Sequence, residues 1–182
     1  MESFELIDNF FQIVVLLCAA AAAGIFALRR RSRDLLILSL AYACFAMGTI
    51  YYVLYLVIIG IWPQVFYVAE ISWLAAWLLY LYAQILRTEG MKCRFSLPAG
   101  ATAAVIAAVA FLDHDFGPSY LISALFSLTA GAIMYLSVSH IQNGSLYRKR
   151  DFFMIICVML QVLLYLISNY THDYTRFQLY YA

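Results

Sequence analysis

Long apolar segments alternate with short polar segments along the chain. A hydrocarbon layer about 30 Å thick is crossed by roughly 20 residues of α-helix, and each apolar segment is long enough to cross it or nearly so. The pattern therefore predicts an all-α fold, a polytopic membrane helix bundle with six transmembrane helices. The predicted spans cover approximately residues 9–28, 35–60, 65–86, 97–112, 118–140 and 152–170.

The composition supports lipid as the solvent of this fold. Of the 182 residues, 66% are hydrophobic and 12% are charged. A water-soluble shell of this size does not have enough polar residues to cover so much apolar surface. Six spans and their turns use nearly the whole chain, so a single transmembrane domain over residues 1–182 is expected.

The basic residues predict the orientation of the bundle. Ten of the eleven Lys and Arg residues fall in three clusters, at Arg29–Arg33, Arg87–Arg94 and Arg148–Arg150. Basic loops stay on the cytoplasmic side, so all three clusters are expected inside and both termini outside. The clusters are expected to contact anionic headgroups and not nucleic acid. The bacterial cytoplasmic membrane or a plasma membrane is the expected location.

The first residues and the recognised motifs narrow the function further. Glu2, Glu5 and Asp8 stand where a secretory signal carries bases, so the first span is expected to be retained. The sequence contains no Gly-rich phosphate loop, no Ser-centred nucleophile elbow and no zinc-protease helix motif. No cofactor and no catalytic residue are expected from these patterns.

Glu70 is the most informative single residue. It lies in the third predicted span, near the outer boundary, where an acid is unusual. An ionised acid at the centre of a span costs on the order of 3 kcal/mol on insertion scales, and less near the headgroups. Glu70 is therefore expected to turn toward protein, to find hydrogen-bond donors or to take up a proton.

Aromatic side chains follow Glu70 at helical spacing. Positions 67, 70, 73, 77, 80 and 84 keep to one side of a helix, so they form a stripe that descends from the outer boundary. Anchoring at the membrane surface and plain helix packing explain such stripes as well as a pocket does. The pocket interpretation predicts these ligand-binding residues: Glu70, Trp73, Trp77, Tyr67, Tyr52, Thr49, Tyr80, Gln161 and Tyr165.

Polar residues outside the stripe include a second candidate site and one predicted helix cap. A weaker candidate for a divalent metal ion or a pH-sensing site consists of acids and histidines in predicted outer loops, where solvated turns are the more common reason for such residues. His140 ends the fifth span next to a turn signal and is expected to cap its helix. The outer set comprises Asp113, His114, Asp115, His172 and Asp173.

Three functions compete on this evidence. The first is a small-molecule binding or sensing module whose outward-opening cavity surrounds Glu70. The second is a small transporter or channel, compatible with proton coupling and with a homo-oligomer, in which Glu70 exchanges protons. The third is a membrane enzyme that uses the outer His and Asp groups. It ranks last because catalysis needs several ionisable groups converging at one depth.

Overall fold

The computed structural model describes residues 3–59, 67–88, 96–112, 120–144 and 148–170. The predicted all-α fold is confirmed for this part of the chain, and each predicted apolar segment coincides with a helix. The six helices are α1 (Ser3–Arg30), α2 (Arg33–Ile59), α3 (Tyr67–Thr88), α4 (Leu97–Leu112), α5 (Tyr120–Gln142) and α6 (Arg148–Tyr170).

Four of the described helices are long and apolar enough to cross a membrane. Large apolar side chains lie on their outer surfaces, such as Leu28 at 79% exposure and Ile58 at 76%. Such surfaces would be costly in water and are typical of contact with lipid, so the chain is suited to a membrane-embedded protein. The four segments are Leu6–Arg30, Arg33–Ile59, Val68–Thr88 and Tyr120–Gln142.

The described residues divide into two compact units, Met1–Ala83 and Gln84–Tyr181. The first contains α1, α2 and most of α3. The second contains the last residues of α3 together with α4, α5 and α6. The prediction of a single domain over 1–182 stays a prediction.

A tight turn joins α1 to α2 in the first unit. Arg31 adopts a left-handed conformation with φ of 49°, and the Ser32 amide donates to the Ala27 carbonyl at 3.1 Å. This six-residue closure is the Schellman motif, which satisfies carbonyls at a helix end. The Ser32 hydroxyl also donates to the Asp34 carboxylate at the start of α2. The end of α1 and the start of α2 are therefore both stabilised by hydrogen bonds from Ser32.

Small residues bring α1 and α2 together, as is common between helices in lipid. The Ser39 hydroxyl on α2 donates to the Ala20 carbonyl on α1 at 2.7 Å. A Cβ atom added at Gly24 would lie 3.1 Å from the Ser39 Oγ. This side of α1 therefore packs on α2.

Close packing and local caps also hold α4 against α5 in the second unit. A Cβ atom at Gly131 would lie 3.0 Å from the Ala107 Cβ and 3.1 Å from the Ala103 carbonyl oxygen. The Ser96 hydroxyl accepts from the Ala99 amide at 3.3 Å, which is an N-cap of α4, and donates to the Gln142 side chain at the end of α5. The start of α4 is thereby tied to the end of α5.

Candidate functional site

An aromatic group lies between α2 and α3 in the first unit. It consists of Tyr42 and Phe45 from α2 with Trp73, Trp77 and Tyr80 from α3. The Phe45 and Trp73 rings have centroids 6.1 Å apart, and the Tyr42 and Tyr80 rings 6.0 Å apart. Trp77 meets Tyr80 edge to face at 5.7 Å. Three predicted stripe residues, Trp73, Trp77 and Tyr80, therefore make aromatic contacts, two of them with rings of α2.

Gly48 allows α2 to approach Trp73 closely. A Cβ atom at this position would lie 2.6 Å from the Trp73 Nε1 and 3.0 Å from the Ala69 carbonyl oxygen. No larger side chain fits there unless α3 or the indole moves. The glycine thus determines where the indole N–H is placed.

Glu70 and Trp73 both carry buried polar atoms that have no hydrogen-bond partner in the described part of the chain. These atoms are the Glu70 Oε2, an acceptor, and the Trp73 Nε1, a donor. The two residues lie three positions apart on α3, so they belong to adjacent turns on one side of the helix. An unmet donor and an unmet acceptor are therefore available near the same level of α3.

The structure describes the side chains of three further predicted binding residues, Thr49, Tyr52 and Gln161. Thr49 and Tyr52 are buried on α2, at helical spacing from Phe45, and the Thr49 hydroxyl donates to the Phe45 carbonyl at 3.3 Å. Gln161 is half-buried in α6 of the second unit. Tyr67 and Tyr165 lie in α3 and α6, but their side chains lie outside the description.

The outer metal or pH-sensing candidate falls on residues that the structure does not describe. Asp113, His114 and Asp115 lie within 113–119, and His172 and Asp173 lie within 171–182. Among the described residues, no group of three or more His, Cys, Asp or Glu side chains is arranged to hold a metal ion.

A second polar group, the His140 cluster, lies inside the second unit. It consists of Gln84 and Thr88 on α3, Ser137 and His140 on α5, and Asp151 on α6. Four of these five side chains are fully buried, and Thr88 is half-buried. Buried polar side chains are costly unless they are paired, so their hydrogen bonds explain how the cluster is tolerated.

Hydrogen bonds connect the members of the His140 cluster across three helices. The Gln84 Nε2 donates to the Ser137 Oγ at 3.3 Å. One turn further along both helices, the Thr88 Oγ1 lies 3.1 Å from the His140 Nε2. The His140 Nδ1 lies 3.3 Å from the Asp151 Oδ1. The Thr88 hydroxyl also donates to the Gln84 carbonyl at 3.1 Å.

This cluster was not predicted from the sequence. His140 was expected to cap its helix, Gln84 was expected to end the α3 stripe, and Asp151 was assigned to no site. The sequence signal for the cluster is spacing. Gln84 and Thr88 lie one helical turn apart on α3, and Ser137 and His140 lie one helical turn apart on α5. Which helices bring these pairs together is a tertiary property that spacing alone does not contain.

Comparisons of the chain with protein-family models, curated proteins and solved structures give no match. The features that point to a function are therefore the unmet polar atoms of Glu70 and Trp73 and the His140 cluster.

Proposed function

We propose that the chain is a multi-pass membrane protein that binds or senses a small organic cation beside Glu70, on the outer side of the membrane. The observation that carries this proposal is the pair of unmet polar atoms on α3, the Glu70 Oε2 and the Trp73 Nε1. A ligand with an ammonium group and a nearby hydrogen-bond acceptor would satisfy both.

The Glu70 Oε2 and the Trp73 Nε1 are buried without partners in the described part of the chain. Leaving a buried donor or acceptor unsatisfied costs about 1 to 3 kcal/mol, and more when the group is charged. A ligand that bonds both atoms would recover that cost when it binds. The aromatic group adds attraction for a cation, because the face of an indole or phenol ring is negative. A carboxylate beside such rings therefore favours an ammonium ligand over an anion or a neutral sugar.

The proposed orientation uses six crossings with both termini outside. The three basic clusters support it, because each lies at helix ends that alternate in the required way. The α6 helix also presents lipid-compatible side chains, with Phe153 at 61% exposure. In this orientation Glu70 lies near the outer end of α3, where a ligand would enter from outside.

The test uses purified protein in lipid nanodiscs and three probes of similar shape. Of these, 2-amino-1-phenylethanol carries an ammonium and a hydroxyl group, phenethylamine the ammonium alone, and 2-phenylethanol the hydroxyl alone. Binding is measured by calorimetry and by tryptophan emission. We expect Glu70→Gln to weaken binding of both ammonium probes by about tenfold or more, because a charged hydrogen bond contributes about 1.5 to 3 kcal/mol. Binding of 2-phenylethanol should not change.

The matched control is Asp8→Asn, and Trp73→Phe tests the second polar atom of the site. Asp8 is a half-buried acid on α1, and its substitution should leave all three affinities unchanged. Trp73→Phe removes the indole N–H but keeps a ring, so it should remove the preference for the probe with a hydroxyl group. Equal binding of every probe to parent and Glu70→Gln, or no binding to the parent, would refute the proposal. Accumulation of labelled phenethylamine in proteoliposomes would instead assign transport.

A further inference from the structure

The buried pair of His140 and Asp151 lies in the second unit and does not involve Glu70. Both side chains are completely shielded from solvent, and their nearest atoms lie 3.3 Å apart. A lone ionised carboxylate in such surroundings is strongly disfavoured, whereas a carboxylate next to a positive charge is tolerated. One added proton therefore makes the pair neutral overall, and a pair without it is a buried anion.

Counting donors and acceptors distinguishes the protonation states. In the imidazolium form, the Nδ1–H donates to the Asp151 carboxylate, the Nε2–H donates to the Thr88 oxygen, and the Thr88 hydroxyl donates to the Gln84 carbonyl. Every hydrogen then has an acceptor, and the same holds when that proton lies on the Asp151 carboxyl group and points at Nδ1, so the count favours a protonated pair and the surrounding charges favour the imidazolium. In the neutral form with Nδ1–H, the Nε2 and the Gln84 carbonyl compete for one Thr88 hydrogen. In the other neutral form, an imidazole lone pair faces the carboxylate.

The helix ends act in the same direction. His140 lies in the last turn of α5, where unsatisfied carbonyls favour a positive charge. Asp151 lies in the first turn of α6, where free amides favour a negative charge. The second carboxylate oxygen of Asp151 has no hydrogen-bond partner in the described part of the chain, so its negative charge is not dispersed elsewhere by hydrogen bonding.

At the cluster end of the surrounding helices the other described charged groups are bases, and the acid Glu70 lies in the first turn of α3, more than three turns away. Arg87 is half-buried on α3, next to Thr88, while Arg148, Lys149 and Arg150 are exposed at the start of α6. The described residues of α4, and the rest of α5, contain no charged side chain. These bases favour the carboxylate of Asp151 and oppose additional positive charge, so His140 depends on Asp151 to hold a proton.

We propose that His140 and Asp151 form a proton-binding site that joins the ends of α3, α5 and α6. Its ligand is one proton, which His140 takes from water to become an imidazolium paired with the Asp151 carboxylate. In the predicted orientation, all three helix ends face the cytoplasm, so the site responds to cytoplasmic acidity.

The experiment reads the protonation state directly. The chain contains three histidines, and a His114→Asn, His172→Asn background leaves His140 as the only imidazole. With ¹⁵N-labelled histidine in nanodiscs, nitrogen chemical shifts distinguish the imidazolium from both neutral tautomers. We expect an imidazolium at pH 5.5 with both nitrogens protonated. A neutral His140 at pH 5.5 would overturn the proposal without any variant at the site.

Two Asp variants show whether the pair, and not simple exposure to solvent, holds the proton. Asp151→Asn should abolish the imidazolium signal at pH 5.5, because a buried imidazole without its carboxylate resists charging. Asp34→Asn, the same change on α2, should leave the signal as in the parent. Thr88→Val should keep the imidazolium but move the Nε2 shift. An imidazolium that persists in folded Asp151→Asn would contradict the role of the pair.

Discussion

At the scale of single residues, three buried hydroxyl groups are satisfied within their own helices. Thr49, Ser127 and Thr129 each donate to a carbonyl three or four residues earlier. Such local bonds remove the cost of burial without requiring a partner from elsewhere. The Glu70 Oε2 and the Trp73 Nε1 are among the buried polar atoms without a partner in the described residues, and they carry the functional proposal because an acceptor and a donor lie one turn apart on α3.

Gly48 gives a prediction at the same scale. Gly48→Ala should lower the free energy of unfolding by about 1 to 3 kcal/mol, because the new methyl group would overlap the Trp73 indole. The decrease is a net value, because the steric cost of the overlap exceeds the roughly 1 kcal/mol that alanine gains over glycine through helix propensity. Unfolding in SDS, followed by tryptophan emission, measures the difference.

Gly24→Ala is the matched control for this change. There the added methyl group meets the Ser39 Oγ at 3.1 Å, a side-chain atom that can rotate away. We expect little change or a small gain in stability. A Gly48→Ala protein as stable as Gly24→Ala, with unchanged tryptophan emission, would show that the α2–α3 contact is looser than described.

At the scale of elements, the sequence predicts where the helices lie but not how the polar groups meet. Apolar runs bounded by bases correctly located all six helices, because lipid demands long uninterrupted apolar segments. Helical spacing likewise placed Glu70, Trp73, Trp77 and Tyr80 on one side of α3. The contact between Tyr42 and Tyr80, and that between His140 and Asp151, depend on which helices pack together. Spacing within one helix does not contain that information.

The two left-handed residues at helix ends give a pair of opposite predictions. Arg31 has φ of 49° and Gly144 has φ of 73°, and only glycine adopts this region without a steric penalty. Arg31→Gly should raise stability by up to about 1 kcal/mol, and Gly144→Ala should lower it by about 1 kcal/mol. SDS unfolding of both variants measures the signs. A destabilised Arg31→Gly protein would mean that the Arg31 side chain contributes more than its backbone strain costs.

At the scale of the whole molecule, hydrogen bonds in the second unit connect helix ends that the charge pattern predicts to lie on one side of the membrane. That orientation places the ends of α3 and α5 and the starts of α4 and α6 on the cytoplasmic side. Gln84 with Ser137, and Thr88 with His140, tie the ends of α3 and α5, while Asp151 adds the start of α6. Ser96 and Gln142 add the start of α4. Four helix ends assigned to one side by charge are therefore joined by direct contacts.

This orientation predicts which positions a membrane-impermeant maleimide can reach in intact cells. In a background without the four native cysteines, Gln64→Cys and His114→Cys should be labelled from outside, because both lie in predicted outer loops. Asn143→Cys, in the exposed turn after α5, and Arg31→Cys, between α1 and α2, should be labelled only after the membrane is opened. Labelling of Asn143→Cys in intact cells would place the His140 cluster on the outer side, where its proton would come from the external medium. Equal labelling of all four positions in intact cells would contradict the proposed crossings, because residues on both sides of a sealed membrane cannot share one aqueous phase.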